Sequence, residues 1–173
     1  RDVQWRQGFA LADFDGDGRL DLAHGPPRKG AGGPVVFLGD AQGGWRLWSE
    51  AAFPSRNYGY GDAAAGDFNG DGHVDLALAM HGLGIVLLAG DGRGRFEAID
   101  AGLPVGEGDV RAGFTSRAIA AIDWNRDGRL DLAAMGEGPI GLGAPGTSGS
   151  RGMRLFLNAD GPWRRVAADA ARL

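Results

Sequence analysis

A ten-residue motif occurs three times in this chain of 173 residues, and this repetition constrains the fold more than any other feature. The copies read DFDGDGRLDL from Asp13, DFNGDGHVDL from Asp67 and DWNRDGRLDL from Asp123, at offsets of 54 and 56 residues. A repeat period near 50 residues is typical of arrays of supersecondary units. The sequence therefore predicts one domain over residues 1–173, built from three tandem units at approximately 1–54, 55–110 and 111–173.

Each unit contains four short stretches with strand character. An apolar stretch precedes the motif, a second one closes it, and a run rich in branched and aromatic residues follows. The last stretch opens on an aromatic residue, which is Trp45, Phe96 or Trp163. Because turn signals separate these stretches, we predict an all-β, propeller-type fold of three four-stranded antiparallel blades. Closed propellers typically have four to eight blades, so three would form a partial propeller with two uncovered sheet faces.

The motif places oxygen-bearing side chains at alternate positions. Aligned on the first Asp, every copy reads D-x-[DN]-x-D-G-x-x-D, and position 7 can offer a backbone carbonyl. Calcium takes six to eight oxygen ligands, which alternate residues of a tight loop can supply. We therefore predict three structural Ca²⁺ sites with these ligands: Asp13, Asp15, Asp17, Arg19 and Asp21; Asp67, Asn69, Asp71, His73 and Asp75; Asp123, Asn125, Asp127, Arg129 and Asp131.

Other interpretations of the motif fit less well. An EF-hand needs a Glu at position 12, where this chain has His24, Leu78 or Ala134. Zinc prefers His and Cys ligands, and the chain has no cysteine. The alternative is that the three motifs are turns rich in Asp and Gly that bind no metal. The first loop offers the most carboxylates and should bind Ca²⁺ most tightly, whereas Arg126 at position 4 of the third loop should make that site the weakest.

The repeated motif resembles the FG-GAP/VCBS repeat family, which includes the calcium-binding blades of integrin α-subunit propellers. The resemblance covers nearly the whole chain and implies that each motif loop joins the first two strands of a blade and binds Ca²⁺. It also implies a role in adhesion, ligand binding or as an accessory domain of a secreted enzyme. Family propellers have about seven blades, so we expect a protein partner or self-association to complete the propeller.

A ligand surface is predicted at the blade ends opposite the motif loops. There the connections between units combine arginine with aromatic residues, and histidines follow the second strands. Such side chains suit a sugar or an anionic group, although they could instead pack between blades. The candidate residues are Trp5, His24, Arg56, Tyr58, Tyr60, His81, Arg111 and Phe114.

Composition narrows the function classes. The net charge of −4 and the lack of a basic run argue against nucleic acid binding, and no apolar run is long enough for a membrane span. The three histidines have no evident nucleophile, so we expect a non-enzyme. Because the sequence starts at Arg1, we expect a processed chain or a fragment. We predict a calcium-binding module for protein or ligand binding in an extracellular or periplasmic location. The alternative is an accessory domain, such as a carbohydrate-binding one, of a secreted or periplasmic enzyme.

Overall fold

A computed structural model describes residues 8–27, 32–105, 116–137 and 151–166. These residues form twelve strands in three four-stranded sheets, and they contain no helix. The all-β prediction with three antiparallel four-stranded blades is therefore confirmed. The strands are β1 Ala10–Ala12, β2 Asp21–His24, β3 Val35–Gly39, β4 Trp45–Leu47, β5 Gly61–Gly66, β6 Asp75–Met80, β7 Gly84–Gly90, β8 Phe96–Ala98, β9 Ser116–Ile122, β10 Asp131–Glu137, β11 Arg151–Leu157 and β12 Arg164–Arg165.

Each sheet is an antiparallel meander whose strands lie in sequence order. In the first sheet, for example, Leu22 pairs with Phe37, and Phe37 pairs with Leu47. The first strands of the sheets are neighbours, since β1 contacts β5 and β5 contacts β9. All three motif loops therefore join the first and second strands at one end of the sheets, which we name the motif end. The opposite end, where β2, β6 and β10 finish, is the far end.

The core consists of two apolar layers, one on each side of the middle sheet. Alternate residues of a strand point to opposite faces, and β6 uses both faces. Leu76 and Leu78 belong to the layer shared with the first sheet, whereas Ala77 and Ala79 belong to the layer shared with the third. Every residue of β6 is buried. The middle sheet is thus the structural centre of the described chain.

Neighbouring sheets are joined by an aromatic contact that occurs twice. The aromatic residue at motif position 2 packs edge-on against the aromatic residue near the start of the last strand in the next sheet. Phe14 meets Phe96 with ring centroids 6.4 Å apart, and Phe68 meets Trp163 at 6.1 Å. The same interfaces share a backbone bond: Phe96 N donates to the Ala52 carbonyl, and Trp163 N donates to the Ala101 carbonyl. The two sheet interfaces therefore follow one packing rule.

Within the described ranges, no helix is long and apolar enough to cross a membrane.

Candidate metal centre

The first Asp of each motif closes its loop by accepting backbone hydrogen bonds. Asp13 Oδ1 accepts from Asp17 N at 3.0 Å, and Asp13 Oδ2 accepts from Gly18 N at 2.8 Å. Asp67 and Asp123 accept equivalent bonds from the glycine at position 6. This glycine has a φ of 86° in all three loops, a conformation that residues with a Cβ rarely adopt. The loop geometry is therefore common to the three copies.

The last Asp of the motif is buried and ties the loop to the third strand of its sheet. Asp21 Oδ2 accepts from Phe14 N, and Asp21 Oδ1 accepts from Gly39 N, both at 2.8 Å. The equivalent residues, Asp75 and Asp131, accept the corresponding pairs of bonds and are also fully buried. The motif spacing predicts position 9 only as a metal ligand. Its structural role needed the register of the third strand, which the motif does not contain.

Carboxylate oxygens from the first loop converge on one point. Single oxygens of Asp13, Asp15 and Asp21 all lie within 4.8 Å of one another. Ligands held at about 2.3–2.6 Å from a Ca²⁺ ion can be at most about 5 Å apart, so this oxygen cluster fits such an ion. The donor set, which is all oxygen and carries several negative charges, also matches a hard divalent cation. Asp13, Asp15 and Asp21 can therefore hold calcium.

Two of the acidic side chains in the motif loops have a raised pKa. Burial raises the pKa of Asp15, and the nearby charges of Asp21, Asp17 and Asp13 raise it further. Burial also raises the pKa of Asp75 to about 6, although backbone N–H donors partly oppose this shift. A bound cation would stabilise the ionised form of both groups.

The residue at position 3 distinguishes the first loop from the other two. Asn69 Nδ2 donates to Asp71 Oδ2 at 2.8 Å, and Asn125 Nδ2 makes the same bond to Asp127. The pKa of Asp71 is lowered by the His73 N–H and then by Asn69, and that of Asp127 is lowered by Asn125 and then by the Arg129 N–H. In the first loop, Asp15 cannot donate, and Asp17 instead pairs with the Arg19 guanidinium.

Position 7 contributes its backbone N–H to the loop in each copy. Arg19 N, His73 N and Arg129 N donate to the position 5 carboxylate at 2.8–2.9 Å. The carbonyls of these residues remain the predicted ligands. The third loop differs at position 4, where Arg126 has a φ of 60° and the other two loops have glycine at 75° and 77°. Arg126 therefore occupies a left-handed conformation that is unfavourable for it.

The comparison with protein families agrees with the repeated motif. Residues 13–78 match the family model described as FG-GAP-like repeat. The match covers the first two motif copies, so this segment is similar to an FG-GAP-like repeat. The matched segment begins at the first Asp of the first motif and ends within β6, so it includes two motif copies and most of the first sheet. A search of curated protein sequences gave no match.

At the far end of the sheets, two of the predicted ligand-surface residues meet. The Tyr60 and His81 rings lie 4.8 Å apart between centroids. Arg117 is not among the residues that the sequence predicts for this surface. Its guanidinium carbon lies 5.5 Å from the centre of the Tyr60 ring, and its Nε lies 3.4 Å from His81 Nδ1. No sequence signal pointed to Arg117, since its position depends on how β9 packs beside β5 and β6.

The other predicted ligand-surface residues that the structure describes make different contacts. The Arg56 guanidinium pairs with Asp100 at 2.6 Å, and both side chains are largely buried. Tyr58 donates its hydroxyl proton to the Pro54 carbonyl at 3.0 Å, and burial raises its pKa. His24 stacks on Phe37 within the first sheet, with ring centroids 6.0 Å apart. The remaining candidates, Trp5, Arg111 and Phe114, lie outside the described residues.

Proposed function

We propose that this chain is a calcium-binding, propeller-type module that binds a protein or another ligand outside the cytoplasm. Each motif loop would hold one structural Ca²⁺ ion through the residues predicted above, giving three sites. The observation that carries the proposal is the convergence of Asp13, Asp15 and Asp21 oxygens within 4.8 Å. The geometry that the three loops share extends the proposal to the second and third copies.

Calcium would stabilise the fold through the contacts that the loop residues make. An ion supplies positive charge that offsets the repulsion between the loop carboxylates. Asp21 connects the loop to Gly39 at the end of β3, so an ordered loop also fixes the motif end of the sheet. Asp75 and Asp131 make the same connection in the other sheets. Calcium would therefore stabilise each sheet at the point where three of its strands meet.

The proposed location and mode of action follow from this calcium requirement. Sites that stabilise a fold only when calcium is bound suit surroundings rich in calcium, as found outside the cytoplasm. We propose that the chain acts by binding and not by catalysis, because its motif acids serve the loops, and His24 and His81 have structural neighbours.

Thermal unfolding tests the calcium proposal. Saturating calcium should raise the melting temperature, since an ion at 100 times its Kd adds about 2.7 kcal/mol per site. Asp13→Asn should remove part of this increase because position 1 loses its charge. Asp40→Asn is the matched control: Asp40 lies in a turn at the motif end, accepts two backbone N–H bonds and is outside the motif. An unchanged melting temperature on adding EDTA would refute the proposal.

The second candidate function, an accessory carbohydrate-binding domain, is favoured by the cluster of Tyr60, His81 and Arg117. An aromatic ring beside a guanidinium and an imidazole offers both stacking and hydrogen bonding to a sugar. A glycan array with the native chain and the Arg117→Ala variant tests this function. Binding that Arg117→Ala abolishes would support it, whereas a blank array would reject it.

A further inference from the structure

We propose that the Arg19 side chain occupies the carboxylate of Asp17 in the metal-free first loop and thereby lowers the affinity of this loop for Ca²⁺. The inference rests on the proposed function, since it concerns the control of one proposed calcium site. Arg19 is a positioning residue in this role, because its guanidinium determines whether Asp17 is available to an ion. The Arg19 carbonyl keeps its separate role as a predicted ligand.

The carboxylate at motif position 5 has both oxygens engaged in every copy of the motif. One oxygen, Oδ1, accepts the backbone N–H of position 7. In the second and third loops, Oδ2 accepts the side-chain amide of the asparagine at position 3. The first loop has Asp15 at position 3, and there the Arg19 guanidinium pairs with Asp17 Oδ2. A neutral donor in two loops is therefore replaced by a cation in the first.

The two kinds of donor respond differently to a cation. An asparagine side chain carries a carbonyl oxygen beside its amide nitrogen, so a rotation of the side chain turns a donor into a ligand. A guanidinium has only N–H donors and keeps its positive charge, so it opposes a second cation at the same carboxylate. Arg19 must leave Asp17 Oδ2 before that oxygen can become a ligand. The ion pair therefore offsets part of the advantage that four carboxylates give the first loop.

The third loop also has arginine at position 7, but its guanidinium pairs outside the loop. Arg129 Nη1 lies 2.7 Å from Asp160 Oδ1, in the turn between β11 and β12. The Oδ2 atom of Asp127 is held by Asn125 instead. The two arginines thus provide an internal comparison, since they share a motif position and differ in the acid that they bind.

An alanine occupies the place of Asp160 in the first sheet. The two turns can be aligned because Gly39 N and Asn158 N both donate to the position 9 acid of their motif. Two residues further along the chain, the third sheet has Asp160 and the first sheet has Ala41. The Arg19 side chain already reaches this turn, since its Nε donates to the Gly39 carbonyl at 3.2 Å. Its guanidinium meets no acid at the aligned position and pairs inside the loop.

The second sheet supports this alignment of the turns. Gly92 stands there at the place of Asp160, and a Cβ built on Gly92 would lie 2.8 Å from His73 Nδ1. The position 7 side chain therefore lies against this turn position in the second sheet as well. Asp40 is another acid in the turn of the first sheet, but its Oδ1 accepts two backbone N–H bonds of the turn itself. An acid introduced at the aligned position should be within reach of Arg19.

A Ca²⁺ titration followed by ¹H–¹⁵N NMR tests the proposal loop by loop. The amides of Gly18 and Gly128 donate to the first Asp of their own motif, so each reports on its own loop. Arg19→Gln should lower the Kd read from Gly18 by about two- to fivefold, as expected for loss of an exposed ion pair. Arg129→Gln is the matched control and should change the Kd read from Gly128 by less than about 1.5-fold. Equal changes in the two loops would overturn the proposal.

Ala41→Asp gives the reciprocal test. The new carboxylate should draw the Arg19 guanidinium out of the loop and lower the Kd read from Gly18. Gln42→Asp is the matched control, because it adds the same charge to the same turn one residue beyond the aligned position. Combined with Arg19→Gln, Ala41→Asp should lose most of its effect. Equal gains in affinity from Ala41→Asp and Gln42→Asp would overturn the proposal.

Urea unfolding in EDTA tests the ion pair without calcium. A double-mutant cycle of Arg19→Gln and Asp17→Asn should show a favourable coupling between the two side chains, because each change removes the same ion pair. A coupling of zero would overturn the proposal even if all three loops bind calcium. A measurable coupling together with a Gly18 signal that does not respond to Ca²⁺ would instead refute the proposed function, and with it the effect of Arg19 on affinity.

Discussion

The first and the middle sheet have the same strand order and the same motif, yet their surroundings differ. The middle sheet is covered on both sides, and every residue of β6 is buried. In the first sheet only one side is covered by described residues, and all three residues of β4 are exposed. The comparison shows that the repeat provides apolar residues for both faces of every sheet. Whether these residues are buried is decided by the neighbouring sheet and not by the sequence of the unit itself.

The largest expected effect is on the free energy of unfolding, and it compares a buried leucine of the middle sheet with an exposed leucine of the first sheet. Leu88→Ala in β7 should lower the free energy of unfolding by about 2–5 kcal/mol, because a fully buried leucine leaves a cavity. Leu47→Ala in β4 should cost much less, since that side chain is 54% exposed. Urea unfolding of both variants measures the difference. Equal losses would show that the first sheet is covered on both sides.

The next effect compares the buried and exposed acids of one motif loop. In EDTA, Asp75→Ala should lower the free energy of unfolding by about 1–3 kcal/mol, because Phe68 N and Gly90 N lose a buried acceptor. Asp67→Ala removes an acid whose loop hydrogen bonds are exposed, and it should cost less. Urea unfolding without metal measures both changes. A smaller loss for Asp75→Ala than for Asp67→Ala would contradict the role assigned to position 9.

The smallest effect compares the second and third loops at position 4. Arg126→Gly should raise the free energy of unfolding by about 0.5 kcal/mol. The left-handed conformation costs a residue with a side chain about 1–2 kcal/mol, and the greater freedom of unfolded glycine offsets part of this. Gly70→Arg, which introduces the same strain into the second loop, should reduce stability. Loss of stability in Arg126→Gly would show that the Arg126 side chain makes a favourable contribution.

Much of the fold could be predicted because the repeat is visible in the sequence. The three motif copies located the turns between the first and second strands, and the turn signals around them predicted four strands per sheet. The aromatic residues Trp45, Phe96 and Trp163 marked the last stretch of each unit, although β12 begins only at Arg164, one residue after Trp163. The oxygen-rich positions were equally visible, since ligand spacing within a loop is a local property.

The remaining features depend on contacts between residues far apart in the sequence. Arg56 pairs with Asp100, and Arg117 reaches Tyr60 and His81, because the sheets pack in a particular register. The aromatic pairs between sheets could not be assigned for the same reason. The sequence shows that these side chains are aromatic or basic, but only the relative position of two sheets determines their partners.

Isothermal titration of the metal-free chain with Ca²⁺ tests the central claim most directly. We expect saturable binding of three ions per chain, with the first loop tightest because it offers four carboxylates from Asp13, Asp15, Asp17 and Asp21. Asp13→Asn should then remove the tightest of the three binding events. A titration that shows no binding of Ca²⁺ to the folded chain would contradict the claim that these loops are calcium sites.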